Sequence, residues 1–333
     1  VLRWDDRPWR GEFRVFATPD SAGLTAVNVL ELERYLAGVV PREIGGGRDR
    51  ADFAAVAAQA VAARNYTLGH LARREKRGFD LYADVRDQAY GGMAWEDSLC
   101  NEALRATAGM VLRRGDELVR TYYHSTCGGH TAAIAAVWPY AADPVLRGSP
   151  DRRPDGRPWC AASRYATWRQ AWTWDELNAI VARTLPAYVA YARATGREAW
   201  GADVFRPATA DASPDAPGYL CDLVVRSRDR DGRVTALLVR TAAGEYLVRG
   251  DRTRWVLRPP EGGPWLLRSA CFELTVEPGR RVVAEGRGWG HGLGLCQMGA
   301  LGRARAGQGF REILAHYYPG ARLERVRDGE ALP

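Results

Sequence analysis

The hydrophobic pattern divides the chain into blocks of strand and helix. β-prone runs at Phe13–Phe16 and Leu24–Val29 lead into a helix start at Leu30 to Leu36. A long Ala-rich helix is expected from about Asp52 to Arg74. After a turn-rich stretch at Asp84–Gly92 come a helix at Trp95–Ala108, strands at Met110–Leu112 and Leu118–Tyr123, and a loop through Pro139–Pro158. A second helical region spans Thr173–Ala194. Beyond the loop-like run Asp211–Pro217, β segments are predicted at Leu220–Arg226, Val234–Thr241 and Glu245–Arg249. Helices at Gln297–Ala306 and Phe310–Tyr318 then stop at Gly307 and Pro319-Gly320. Helices and hairpins fall in separate blocks without βαβα alternation, which predicts an α+β fold of mixed antiparallel sheets with segregated helices. The expected organisation is a region 1–210, with a possible insertion near 173–210, and a β-rich region 211–333 packed into the same unit.

One charge interrupts the pattern of the Ala-rich helix. Phe53, Ala57, Ala60 and Leu71 share a stripe, and Arg64 lies within about 20° of Phe53 on it at ~100° per residue. Arg64 should therefore point inward, and a buried guanidinium needs an anion or acceptors around it. The nearest candidate in sequence is Glu43, in Val39-Val40-Pro41-Arg42-Glu43-Ile44, followed by Gly45-Gly46-Gly47. Burial would push the pKa of such a glutamate up and Arg64 would pull it down. A structural ion pair and an acid–base group are both consistent with that pattern.

Between Gly286 and Gly294 every even position is glycine, and the odd ones read Arg287, Trp289, His291 and Leu293. An extended segment of this kind would carry one bare face and one decorated face. The bare face would admit a ligand, or it would mark a crossing where two elements pack tightly. Neither a dinucleotide fingerprint nor a P-loop fits, because only some forty residues follow and no Gly-Lys-Ser/Thr is present.

The chain of 333 residues is 46% hydrophobic, and no apolar run approaches the ~20 residues of a membrane span. Its start at Val1–Asp6 is no signal peptide and reads like a mature or trimmed terminus, which leaves an extracytoplasmic location open. The formal charge of +7 comes almost wholly from arginine, Lys76 being the single lysine. Arginines interleaved with acids, and the lack of any nucleic-acid motif, argue against nucleic-acid binding, while a mildly cationic surface suits an anionic polymer such as a cell wall. Six cysteines without a C-x-x-C permit up to three disulfides or as many as six free thiols.

Several ordered motifs resemble the SpoIID/LytB family of peptidoglycan lytic transglycosylases. They are Val27 to Glu43, Ala58-Gln59-Ala60-Val61-Ala62-Ala63-Arg64-Asn65-Tyr66, Asp87-Gln88-Ala89-Tyr90-Gly91-Gly92, Tyr122 to Thr131, and Gly286 to Gly320. The resemblance covers most of residues 24–170 and 250–324. It implies a SpoIID-like fold with the long helix behind a catalytic loop, Glu43 as catalytic acid and Arg64 as its supporting cation. The implied reaction cleaves the β-1,4 bond between N-acetylmuramic acid and N-acetylglucosamine in glycan strands already stripped of stem peptides, with the muramoyl 6-hydroxyl attacking its own C1. Such a transfer needs no second carboxylate, since the substrate supplies the nucleophile; Asp87, inside a matched motif, is a second candidate acid. Gln59, Tyr122, Tyr123, His124, Ser125, Trp289, His291, Gln297, Tyr317 and Tyr318 are the substrate-binding candidates. Tyr122 and Tyr123 cannot both face a glycan from one strand.

No cofactor is required by this chemistry. A structural zinc is a possibility that some relatives suggest, with Cys127, His130, Cys160 and Cys296 as candidate ligands; a Cys127–Cys160 disulfide or free thiols account for the same cysteines. A Cys-His nucleophilic pair has no support. Two departures stand out: three glycines follow Ile44 where relatives usually have Pro, predicting a looser loop beside Glu43, and Cys296-Gln297-Met298 replaces Ser-Gln-Trp. The section 173–219 matches nothing specific and is a candidate partner surface. The alternative to an enzyme is a wall-binding module that recruits or stimulates a peptidoglycan amidase.

Overall fold

Local pairing dominates the start of the chain. In the computed structural model, which describes residues 2–19, 22–195, 204–260, 263, 265–277 and 281–326, β1 (Leu2–Trp4) and β2 (Arg7–Trp9) form a hairpin. Asp5 and Asp6 at its tip have φ of 53° and 55°, as a two-residue turn between right-twisted strands requires. β3 (Glu12–Ala17) and β4 (Leu24–Val29) pair antiparallel, with Glu12 opposite Val29. α1 (Leu32–Val40) runs directly into a wide π-type turn at Pro41–Gly45. Then come α2 (Phe53–Leu68), α3 (Ser98–Ala106), β5 (Met110–Arg114) and β6 (Glu117–Leu118). The α+β expectation holds: small antiparallel sheets lie in blocks apart from the helices.

The chain forms two compact units, one of residues 1–123 with 297–333 and one of residues 124–296. The loop-like run 211–217 thus lies inside the second unit. In the first, α2 is the core: Ala55, Ala57, Ala58, Ala60, Ala62 and Ala63 are all fully buried. A helix apolar on every side belongs in an interior, and here α1, α3, β5 and the helices Gln297–Arg305 and Phe310–Tyr317 surround it. Methyl-sized side chains allow that close approach. α2 ends at Gly69, short of the expected Arg74, so Leu71 lies beyond it on the surface and the apolar stripe is cut short. Asn65 locks α2 to β5, its amide donating to the Leu112 carbonyl at 2.7 Å and accepting the Leu112 N–H at 2.8 Å.

The second unit is built on a helix and two sheets. Strands Leu220–Arg228, Val234–Thr241, Gly244–Arg249 and Phe205–Pro207 form one sheet in that order; Phe272–Glu277, Arg281–Gly286 and Trp168–Thr173 form the other. The helix Trp174–Ala194 starts from a capping box between Thr173 and Glu176, and buries Leu177, Val181, Leu185 and Val189 in the core of this unit. Its apolar face is therefore used internally. Residues 196–203 of the unmatched section lie outside the described residues.

The glycine run is not an extended ribbon. Gly288, Gly290, Gly292 and Gly294 have φ of 85°, 110°, 89° and 63°, so the backbone visits the left-handed half of conformational space at every second residue. The protein's own atoms fill the space that side chains would need. A Cβ on Gly288 would lie 2.6 Å from the Thr126 carbonyl oxygen, one on Gly290 2.7 Å from the His124 Cβ, and one on Gly292 2.5 Å from Arg233 Nη2. The run is thus a tight crossing, and the expectation of a bare strand face open to a ligand is corrected. Gly290→Ala is expected to cost about 1–3 kcal/mol in chemical denaturation, from strain at positive φ and the clash with His124; an unchanged midpoint would mean that the crossing is looser than drawn.

Candidate functional site

The glutamate that ends the apolar run Val39-Val40-Pro41 is carried on the π-type turn, where one extra residue re-aims the backbone at the end of α1. Glu43 is half-buried in the first unit, and its Oε1 accepts the Ala89 N–H at 2.7 Å. Burial drives its pKa up to about 7, against the opposing pull of the Ala89 N–H, the Gln297 side chain and Arg42. Desolvation wins because no cation forms a salt bridge with it among the described residues. A carboxyl so placed can give and take a proton near neutral pH.

The three glycines beyond it do not produce a loose loop. Arg48 folds back so that its Nε donates to the Ile44 carbonyl at 3.0 Å, and the Gly47 N–H donates to Asp97 Oδ2 at 3.0 Å. Asp97 also caps α3 through the Cys100 N–H. The glycines permit this path, with φ of 93° at Gly45 and 66° at Gly47, and the polar ties fix it.

Gln88 organises the surroundings of Glu43. Its side chain is fully buried; Oε1 accepts from Thr67 Oγ1 at 2.8 Å and from the Tyr35 hydroxyl at 3.3 Å, while Nε2 donates to the Tyr123 hydroxyl at 2.9 Å. Both phenols sense the charge of Glu43, and burial with that charge holds them protonated. Gln297 starts its helix beside Glu43, its Nε2 3.4 Å from Gln59 Oε1, and the buried Gln59 Nε2 has no hydrogen-bond partner. Tyr35 and Tyr90 line a 630 Å³ cleft between β4 and the segment Arg77–Ala83, with Phe79 and Tyr82 opposite. Gln88, Tyr35 and the Ala89 N–H were not singled out in the sequence. The Asp87–Gly92 motif contains two of them, Gln88 and Ala89, beside its acid.

That acid serves the loop. Asp87 accepts from Arg74 at 3.0 Å and from the Tyr82 N–H at 2.8 Å. Arg64 is buried as its stripe predicts, yet the anion that meets it is Glu33 rather than Glu43: Nε–Oε1 is 2.6 Å and Nη2–Oε2 is 2.9 Å, with Nη1 donating to the Met110 carbonyl at 3.1 Å. Glu33 sits in the first turn of α1. Tyr317 and Tyr318 are interior residues, the Tyr318 hydroxyl donating to the Tyr122 carbonyl at 2.7 Å. Tyr122 packs edge-on against Tyr66, ring centroids 6.0 Å apart.

The remaining candidates belong to the second unit. Trp289 pairs its backbone with Thr126 and sets its ring edge-on to Tyr165 at 3.9 Å. His291 lies 5.7 Å from His124, ring centre to ring centre, and Ser125 Oγ is 3.2 Å from Thr126 Oγ1. The sulfurs of Cys127, Cys160 and Cys296 lie within 4.8 Å of one another, all buried. Cys127 and Cys160 are 3.6 Å apart, far from the ~2.0 Å of a disulfide and close to the ~3.8 Å edge of thiolates on a tetrahedral zinc. Buried Asp151 accepts from Cys127 Sγ at 3.2 Å through Oδ2. The three sulfurs, without Asp151, are the set whose spacing could hold a metal ion among the described residues. His130 does not join it, being engaged by Asp231 at 3.0 Å and by the Thr131 carbonyl at 2.7 Å.

Comparison with known proteins bears on both units. Residues 20–113 match the family model described as SpoIID, stage II sporulation protein. The chain is 27% identical over 304 residues to an uncharacterized protein of Brachyspira hyodysenteriae, covering 91% of this chain and 69% of that one. It is 27% identical over 307 residues to the amidase enhancer of Bacillus subtilis, covering 86% of this chain and only 40% of the enhancer's length. Stage II sporulation protein D of Bacillus subtilis is 24% identical over 318 residues, covering 90% of this chain and 76% of that protein. Together with the ordered motifs around Glu43, these matches support the SpoIID/LytB family for this chain.

Proposed function

We propose that the protein is a peptidoglycan lytic transglycosylase that acts outside the cytoplasm on glycan strands freed of stem peptides. The observation that carries this reading is Glu43, a half-buried carboxyl with a pKa of about 7 in a setting of neutral hydrogen-bonding groups. Protonated Glu43 gives its proton to the glycosidic oxygen as the C1–O bond of the muramoyl residue breaks. The carboxylate then takes the proton of the muramoyl 6-hydroxyl as that oxygen bonds to C1, closing the 1,6-anhydro ring and restoring the acid. Tyr123, whose oxygen accepts from Gln88, keeps its hydroxyl proton as a neutral donor, Tyr35 donates its own to Gln88, and the aromatic cleft along β4 gives room for sugar rings. Gln59 and Gln297 offer further amide contacts. Digestion of stripped glycan with the protein, read by mass spectrometry, should yield 1,6-anhydromuramoyl ends; ordinary reducing ends would mean hydrolysis, and no cleavage would sink the reading.

The amidase-enhancer relative favours a second reading, in which the chain binds wall glycan and stimulates an amidase. It predicts faster amidase release of stem peptides on addition of this protein, with Glu43→Gln as effective as the wild type.

Cys127, Cys160 and Cys296 would hold a zinc ion, and the ion would supply cross-linking of the fold rather than chemistry on substrate. Elemental analysis of the purified protein is expected to show about one zinc per chain, lost together with several degrees of melting temperature in Cys160→Ser. A metal-free protein of equal stability would leave the cysteines as free thiols.

A further inference from the structure

The buried polar side chains of α2 are Gln59, Arg64, Asn65 and Thr67, and packing accounts for the last three. Arg64 meets Glu33 and the Met110 carbonyl, Asn65 bonds both ways to Leu112, and Thr67 donates to the Ala63 carbonyl at 2.9 Å. Gln59 differs from them. It is 0% exposed, its Oε1 accepts from Gln297 Nε2 at a long 3.4 Å, and its own Nε2 has no hydrogen-bond partner among the described residues. An unmet buried donor costs about as much free energy as a lost hydrogen bond, so an apolar side chain would serve packing better at this position. With no exposed surface, Gln59 also cannot touch a glycan itself.

What Gln59 bonds to gives it a use. Gln297 opens its helix, is buried, and donates from its side-chain amide to Glu43. An amide nitrogen carries two N–H groups, and here one is directed at Glu43 and the other at Gln59 Oε1. The two ends of an amide are alike in size and opposite in hydrogen bonding. A half-turn of Gln297 would set its carbonyl against Glu43, where it would repel the carboxylate and accept from the protonated acid, the reverse of what the N–H does. The same half-turn would bring the Gln297 carbonyl oxygen against Gln59 Oε1, two acceptors with no proton between them. Gln297 therefore cannot turn unless Gln59 turns with it.

We propose that Gln59 is a positioning residue that acts through Gln297, holding an amide N–H rather than an amide carbonyl against Glu43. This rests on the reading of Glu43 as the acid, and it adds what prepares that acid to let its proton go. When Glu43 protonates a leaving oxygen it becomes a carboxylate, and the held N–H stabilises that charge at no cost of reorientation. The other titratable or charged groups that act on Glu43 are the guanidinium of Arg42 on its own turn, Tyr35 of α1 and Tyr123, and burial keeps both phenols neutral well above pH 7.

NMR titration of the Glu43 carboxyl carbon and the glutamine side-chain amides in the intact protein tests this with no substrate present. In the wild type, the Gln297 amide protons should move with the same midpoint as the Glu43 carboxyl. Gln59→Met keeps the length of the side chain and should raise that midpoint by about 0.5–1 pH unit, with the melting temperature unchanged or higher. Gln297→Met should raise it at least as far, and adding Gln59→Met to Gln297→Met should move it no further. A purely structural Gln59 would lower stability and leave the midpoint in place. An unmoved midpoint in Gln59→Met, or an equal extra shift in the Gln297→Met background, overturns the proposal. So does a wild type in which the Gln297 amide fails to follow Glu43, or in which Gln59 Nε2 is found donating to Gln297, and neither result requires a variant to fold. If glycan is cleaved, the falling limb of the pH profile should move up with the midpoint in Gln59→Met; absence of cleavage with the titration shifts intact would strike the transglycosylase reading and leave the positioning of Glu43 standing.

Discussion

Glu43→Gln is expected to lower the formation of 1,6-anhydromuramoyl ends by at least about 10²–10⁴-fold, the usual worth of a positioned acid–base group. The amide keeps the shape and can still accept the Ala89 N–H, but it has no proton to give. Wild-type cleavage should be steady below neutrality and fall as pH rises through about 7, where Glu43 loses the proton needed to start the reaction. The same group sets a stability trend of defined sign. Its pKa in the folded protein lies above the ordinary value of 4.5, so stability is fully present below that value and is lost as pH rises through about 7. Glutamine has no such loss. The variant should therefore be more stable than the wild type at pH above 7 by on the order of 1–3 kcal/mol in urea denaturation, and should lose that advantage in acid. Equal cleavage by the two proteins would remove Glu43 from the chemistry and leave the amidase-stimulating reading.

Arg64→Ala should be the most destabilising single change at the candidate site, costing about 3–5 kcal/mol by thermal or chemical unfolding. The side chain is 1% exposed, and its three nitrogens tie together α1 through Glu33, α2 on which it sits, and β5 through Met110. Truncation leaves a cavity and an unpaired carbonyl. Lysine should recover part of the charge but not the forked geometry that engages both oxygens of Glu33. Activity per folded molecule separates scaffold from chemistry: it should survive in Arg64→Lys, and a stable but inactive variant would place the guanidinium in the reaction.

The sequence revealed most of what is periodic and little of what depends on distant partners. The block order and the inward turn of Arg64 followed from local apolar spacing, which α2 realises because Ala on every face lets helices crowd it. The anion for Arg64 was misassigned to Glu43, because which turn of α1 faces α2 is fixed by helix packing. The glycines were read as an extended ladder, since alternation suggests period two. Their positive φ values arise from tertiary approach, with Thr126, His124 and Arg233 lying where side chains would be. Gln88 was invisible as an organiser because a buried amide declares itself only through the groups it joins. The sulfur trio lay within reach of cysteine counting, whereas which three of the six meet is decided by the fold.

The first unit is closed by residues that follow the whole of the second along the chain. Its core helix α2 takes two of its neighbours from residues 297–317, and the amide beside Glu43 comes from Gln297, while the whole second unit is contained in the intervening 124–296. A chain emerging from a ribosome or an export channel can complete the inner unit first, yet it holds the acid in an unfinished setting until residues 297–317 have emerged. Premature termination anywhere before residue 297 would leave a product with its middle unit intact and its acid unsupported, so the setting of Glu43 ripens only when residues 297–317 arrive.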